Sequence, residues 1–260
     1  MSLIKRYIEE INSRKEKVLS VFLTAGFPDK NRFIETAKTL IDSGADMLEI
    51  GIPFSDPLAD GPIIQYSSKI SLDNGTTIND CLTWAEELYR YSAKPIIFMG
   101  YANPIKKYGT KQFMKDSLNS GIKGLIIPDV PLEEYGTFFP ETDERPEIIL
   151  LTTPSSTEER IKRIDEASSG FVYCVSITGT TGVKESFTSD NFENLNRTRS
   201  LINKNKMLIG FGISKAEDVK KFSPYCDGVI VGSAVIKSLM ESNGLNETSK
   251  LVMGLKDACI

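Results

Sequence analysis

The amino-acid sequence predicts an α/β chain closed into a (β/α)₈ TIM barrel with a short N-terminal helix, a single domain over residues 1–260. Three observations predict it. Short β-rich runs alternate with helical patterns from end to end. Most of these runs are compact and apolar, as parallel strands covered by helices are. Eight of them can be counted, the number that closes such a barrel. A doubly wound open sheet shares the alternation, because periodicity does not settle closure. No G-x-G-x-x-G follows the first strand, which speaks against a dinucleotide-binding version of it.

Taken in order, Met1 to Glu10 mixes Lys5, Arg6, Glu9 and Glu10 with apolar residues and reads as an amphipathic helix, not as a signal-peptide core. The strands are expected at Val18–Leu23, Met47–Ile52, Pro95–Tyr101, Gly124–Pro128, Glu147–Leu151, Gly170–Val175, Lys206–Gly210 and Gly228–Gly232. After the first, Phe33, Ile34, Ala37, Leu40 and Ile41 recur at helical spacing, with Gly44 placed to end the helix. Cys81, Leu82, Trp84, Ala85 and Leu88 repeat the pattern after the second. Gly136 and two prolines interrupt the segment from Glu133 to Pro146, so a short or irregular helix is expected there. Ser156-Thr157-Glu158-Glu159 opens a helix carrying Ile161 and Ile164 on one face. Ser214-Lys215-Ala216-Glu217 reads as a capping box leading into Val219. No low-complexity linker divides the chain.

Composition excludes several function classes. Net charge is −4 with both signs interspersed, and no basic arm or stripe marks a nucleic-acid partner. No apolar run approaches the roughly 20 residues of a membrane span. The cysteines, Cys81, Cys174, Cys226 and Cys259, form no close pair, which fits a reducing cytoplasmic compartment. There is no histidine. Ser-His-Asp and Cys-His nucleophiles and most zinc sites are thereby removed, no metal is expected, and acid–base chemistry falls to carboxylates, lysines, tyrosines or backbone dipoles.

The second strand holds the sharpest signal. Leu48, Ile50 and Ile52 share one face and Met47, Glu49 and Gly51 the other. If the aliphatic face packs on helices, Glu49 points into the barrel near the carboxyl end, where barrel active sites lie. A buried acid is costly unless solvated, paired or neutralised, although a structural ion pair would also meet that cost. Asp56 and Asp60 follow in the next loop, where Asp-Pro and Asp-Gly are ordinary turn chemistry. With Glu49 they supply a second carboxylate, and two acids of different solvation can divide acid and base roles. Late in the chain, Gly210-Phe211-Gly212-Ile213-Ser214 and Gly232-Ser233-Ala234 each follow a strand and open a helix. Barrel phosphates bind at such loops, although tight turns need glycine too. The run Thr178 to Val183 is small and polar, fitting a mobile lid or a plain surface loop. Tyr101, Asn103 and Asp129 lie at or just beyond strand ends.

The run from Leu48 to Pro62, with Gln65, resembles the signature of the tryptophan synthase α subunit. The resemblance spans nearly the whole chain, through Phe22-Leu23-Thr24-Ala25-Gly26, Tyr101-Ala102-Asn103-Pro104, Pro128-Asp129-Val130-Pro131, Gly179-Thr180-Thr181-Gly182 and the two late glycine loops. It implies a (β/α)₈ lyase that splits indole-3-glycerol phosphate by a retro-aldol reaction. Glu49 then matches the general acid–base and Asp60 the second catalytic carboxylate, kept ionised to accept the indole N–H. Phe22 and Ile64 match apolar positions around the indole, and Tyr173 a tyrosine near the reacting atoms. Thr181 matches the lid threonine, and Gly182, Phe211, Gly212, Gly232 and Ser233 the phosphate cradle. Tyr101 and Asp129 complete the expected substrate-binding set. The resemblance also implies a β-subunit partner in an α₂β₂ tetramer, met through Asp56 and the Asn103-Pro104 loop. No cofactor is expected on this chain, and pyridoxal phosphate only on the partner. Two departures stand out: the lid reads Gly-Thr-Thr-Gly where many relatives have Gly-Val-Thr-Gly, and Glu133–Pro146 is unlike the usual fourth helix. A catalytically silent activator of a β-like partner, or another sugar-phosphate barrel, would share parts of this pattern.

Overall fold

The computed structural model describes residues 2–139, 145–176, 189–241 and 244–260. Helix α1 (Leu3–Ser13) precedes β1 (Val18–Thr24), α2 (Phe33–Asp42), β2 (Met47–Gly51), α3 (Pro62–Asp73), α4 (Ile78–Ser92) and β3 (Ile96–Met99). Then come α5 (Ala102–Tyr108), α6 (Thr110–Asn119), β4 (Ile122–Ile126), the single turn α7 (Tyr135–Phe138), β5 (Glu147–Ile149), β6 (Leu151–Thr152) and α8 (Glu158–Ala167). The chain ends with β7 (Phe171–Val175), α9 (Ser189–Leu201), β8 (Lys206–Gly210), α10 (Ala216–Phe222), β9 (Gly228–Val231), α11 (Ser233–Glu241) and α12 (Leu245–Asp257).

All strand pairs are parallel, in the order β5-β4-β3-β2-β1-β9-β8-β7-β6. The two ends of that order are halves of one run separated by Leu150 alone, so eight strand positions close a barrel. The fifth position is broken because serines take its ladder bonds. Ser169 Oγ accepts the Ile148 N–H at 3.0 Å and Ser168 Oγ the Leu150 N–H at 3.2 Å. The Tyr173 N–H donates to Leu150 O at 3.0 Å and carries the wall across the seam.

The fourth strand begins two residues earlier than its apolar run suggests. Gly121, at φ +85°, ends the preceding turn, and the half-buried Lys123 sits in the strand with its ammonium 4.2 Å from the Tyr89 ring centre. The expected box on α10 is also corrected. The helix starts one residue later, so Asp218 rather than Glu217 accepts the N–H groups of Ser214 and Lys215, at 3.0 and 3.2 Å. From Glu133 onward there is a 3₁₀ turn ending at Glu134, then the single turn α7, with 140–144 outside the described residues.

Helix α1 lies across the amino ends of the strands. Ile4, Ile8 and Ile11 are buried at helical spacing. A methyl group added at Gly124 or Gly170 would press on Ile4. The Glu147 carboxylate accepts the Leu3 and Ile4 N–H groups at 2.6 and 3.2 Å and the Ser2 hydroxyl, placing negative charge at a helix N-terminus. With that end covered, the open end is the carboxyl end of the strands. Among the described residues no helix is long and apolar enough to cross a membrane.

Candidate active site

At the carboxyl end of the strands a pocket of about 480 Å³ is lined by residues of β1, β2, β3, β7 and β9 and by the loops after β2, β8 and β9. Glu49 occupies the middle of β2 and faces it, only 1% exposed. Alternation along β2 turns it inward, and Gly51 above it leaves space that the Phe22 ring fills: a methyl group there would collide with that ring. Ser20 Oγ, on the neighbouring strand, donates to Glu49 Oε1 at 2.8 Å. Burial penalises the charged form and pushes the Glu49 carboxyl up to about 7, with the Ser20 hydrogen bond opposing.

Asp60 enters from the loop after β2. Its carboxylate Oδ2 accepts the Tyr101 hydroxyl at 2.9 Å, and the same hydroxyl oxygen accepts the Ala59 N–H at 3.1 Å. Burial raises its carboxyl to about 6, again opposed by the hydrogen bond it accepts. The loop itself is bracketed by α3. Ser68 Oγ accepts the Phe54 N–H at 2.8 Å and donates to Phe54 O at 2.9 Å. Pro62 sits in the first turn of α3, where its missing N–H costs nothing.

The rest of the wall separates an apolar from a polar part. Phe22, Ile64 and Tyr173 line the pocket with the two acids. Gly210 has no side chain where the Tyr173 hydroxyl lies. Phe211 and Gly212, Gly232 and Ser233 line the remainder. Phe211 and Gly212 both take positive φ, +73° and +75°. Ser176 Oγ holds this turn by donating to Phe211 O at 2.7 Å. Gly232 precedes α11, whose first N–H groups lack intrahelical partners. Both glycine loops line one pocket, although the first is separated from α10 by Ile213 to Lys215 and does not open that helix directly.

Of the residues expected to bind substrate, Tyr101 contributes through Asp60 and is not itself part of this pocket wall. Asp129 is not brought in. Its two oxygens accept the Ala102 N–H at 3.0 and 3.1 Å, capping α5, and it lines a neighbouring cavity of about 1480 Å³ that shares only Phe211 with the first. An acid just past a strand end can serve the next helix as well as a ligand. Thr181, Gly182 and the expected lid lie outside the described residues. Asp56 and Asn103 are both exposed beside the open end. Four lining residues were not anticipated: Gly61, Met99, Ile213 and Ile230. Ser20 and Ser176, which hold Glu49 and Phe211, were missed as well. For Ser20 the signal existed, a hydroxyl set between Leu19 and Val21 two residues before Phe22.

The chain that carries this barrel mouth resembles known proteins over nearly its whole length. The model of the tryptophan synthase alpha chain family matches residues 8–257. The chain is 40% identical to the tryptophan synthase alpha chain of Thermoanaerobacter sp. (strain X514) over 261 residues, 99% of each. It is 41% identical to that of Flavobacterium psychrophilum over 239 residues, 91% of this chain and 94% of that one. Among solved structures, Mycobacterium tuberculosis tryptophan synthase superposes with a TM-score of 0.91 at 30% identity, covering 99% of this chain and 98% of that one. An Aquifex aeolicus structure gives a TM-score of 0.91 at 34% identity, over 100% and 99%. Sequence from end to end and barrel geometry thus agree, and the chain belongs to the tryptophan synthase alpha chain family.

Proposed function

We propose that this chain is a carbon–carbon lyase, the α subunit of a tryptophan synthase, cleaving indole-3-glycerol phosphate into indole and glyceraldehyde 3-phosphate. The observation that carries the reading is that Glu49 and Asp60 line one pocket beside two glycine turns, with desolvation raising their carboxyls to about 7 and about 6.

Indole leaves poorly until its C3 is protonated. Glu49, near half-protonated at neutral pH, gives its proton to C3, and the ring becomes an electron acceptor. The resulting carboxylate takes the proton of the adjacent glycerol hydroxyl. The carbon–carbon bond then breaks toward the ring as the aldehyde forms, and Glu49 ends protonated as it began. A group that must both give and take a proton works best with a pKa near the operating pH. Asp60, the stronger acid of the two, is mainly ionised at neutral pH. It accepts the indole N–H and stabilises positive charge growing on the ring. The turns at Phe211-Gly212 and Gly232-Ser233 hold the phosphate and fix the glycerol chain for bond cleavage. Phe22 and Ile64 flank the indole, and Tyr173 stands near the reacting carbons.

The protonated ring takes up the electrons of the breaking carbon–carbon bond and the carboxyls move the protons, so this chain needs no cofactor of its own. Pyridoxal phosphate belongs to the β subunit, which in the family joins indole to serine. The assembly is an α₂β₂ tetramer in the cytoplasm, with Asp56 and the Asn103-Pro104 loop at the subunit contact.

The test is Glu49→Gln. Indole release should fall by at least about a thousandfold, in the upper range for loss of a general acid–base, while the variant still binds a non-cleavable indole-alkyl phosphate. Near-normal turnover would remove Glu49 from the mechanism. Failure of the unaltered chain to release indole, alone or with its partner, would leave only the activator role.

A further inference from the structure

Glu49 has a serine hydroxyl from the neighbouring strand beside it. Ser20 is 0% exposed in β1, a strand buried at all its positions. Its backbone is satisfied by the parallel pairing of β1 with β2 and β9. A β-branched aliphatic residue would suit the position better as packing. A buried hydroxyl without a partner costs free energy, and this one spends its bond on Glu49 Oε1 at 2.8 Å. The titratable groups that share the pocket with Glu49 are Asp60, from the loop after β2, and Tyr173 on β7. No lysine or arginine lines it among the described residues.

We propose that Ser20 is a positioning residue for the cleavage reaction: its hydroxyl, donated to Glu49 Oε1 inside the barrel, fixes the carboxyl plane and directs the transferable proton to Oε2, the oxygen left for the substrate. The inference rests on the reading of Glu49 as the acid–base and deepens it. An oxygen already accepting a hydrogen bond is the poorer site for a proton, so the acid form of Glu49 carries its hydrogen on Oε2. From there it passes to C3, and the same oxygen later recovers a proton from the glycerol hydroxyl. One oxygen thus serves both transfers without rotation of the carboxyl between them. The same bond favours the charged form and counters part of the burial effect. Without it Glu49 becomes a weaker acid.

The isosteric pair S20T and S20V separates hydroxyl from volume, and S20A serves should the extra methyl groups prevent folding. With the unaltered chain as reference, S20V and S20A are expected to lower kcat for indole release about tenfold at neutral pH, the usual scale for a lost hydrogen bond to an ionised group. They should also move the Glu49 limb of the kcat–pH profile upward by about one unit. The affinity for an indole-alkyl phosphate should stay within about twofold, and S20T should restore both rate and profile. Equal rates and profiles for S20T and S20V, or an S20A profile overlying that of the unaltered chain, would overturn the proposal. E49Q distinguishes the two levels. If E49Q is inactive while the Ser20 variants behave normally, only the positioning role fails. If E49Q is active, the reading of Glu49 itself fails.

Discussion

Glu49 is held where its charge is unwelcome, and that has a cost outside catalysis. Its folded-state pKa, about 7, lies above the ordinary value of 4.5, so the folded chain binds more protons than the unfolded chain between those values. Stability contributed by this group is fully present below about pH 4.5, falls as pH rises through about 7, and levels off above, a loss of about 3 kcal/mol. Glu49→Gln should therefore flatten the stability–pH curve and unfold at higher temperature than the parent near pH 8, as read by thermal melts across pH. Asp60 shifts in the same direction, and Tyr101 opposes the shift. Tyr101→Phe removes that bond. The Asp60 carboxyl then moves above about 6, and kcat at neutral pH should fall about tenfold, with part of the loss recovered near pH 8. A loss that stays constant across pH would mean that Tyr101 does not act through Asp60.

Elements set these residues in place, and their legibility in the sequence varied for physical reasons. Inward placement of Glu49 could be read because strand alternation is local and strict. The two glycine turns could be read because backbone that must turn sharply needs particular residues. The hydrogen bonds could not. Ser20 to Glu49 spans 29 positions and Tyr101 to Asp60 spans 41, and no local pattern announces a partner so distant. The break at Leu150 was hidden for the same reason, because the serines that cause it belong to the approach to β7. Asp129 lies beyond a strand end, where an acid can meet a ligand or cap a helix, and its contact with the Ala102 N–H spans 27 positions. Helix α3 shows what an element does for the site. Its Ser68 grips both polar groups of the Phe54 backbone and so fixes the loop that carries Asp60. Ser68→Ala should cost about 1 to 3 kcal/mol in stability through the unpaired Phe54 groups. It should also reduce kcat more than it reduces affinity for an indole-alkyl phosphate. Gly212, at φ +75°, will not accept a side chain without strain of about 1 to 2 kcal/mol, so Gly212→Ala should raise KM through the phosphate.

At the scale of the whole barrel, one end holds chemistry and the other holds the structure together. Lys256 of α12 reaches Asp46 at 2.9 Å and Glu16 at 3.3 Å beneath the strands, and Arg199 clasps Asp227 with its two terminal guanidinium nitrogens. Lys256→Met should lower stability by about 2 to 3 kcal/mol by leaving Asp46 unpaired. Its kcat/KM for indole release should stay within about twofold, since this network lies at the far end from the pocket. Helix α1 has a further consequence. Its seat is made of Gly124, Glu147 and Gly170, residues that leave the ribosome long after it does. The helix is thus made well before the residues it docks on. Until those residues are made its isoleucine stripe lacks that berth, and β1 waits longer still for β9. Because closing contacts so distant in sequence is slow, the nascent chain spends most of its synthesis as an unfinished ring with a sticky leading edge.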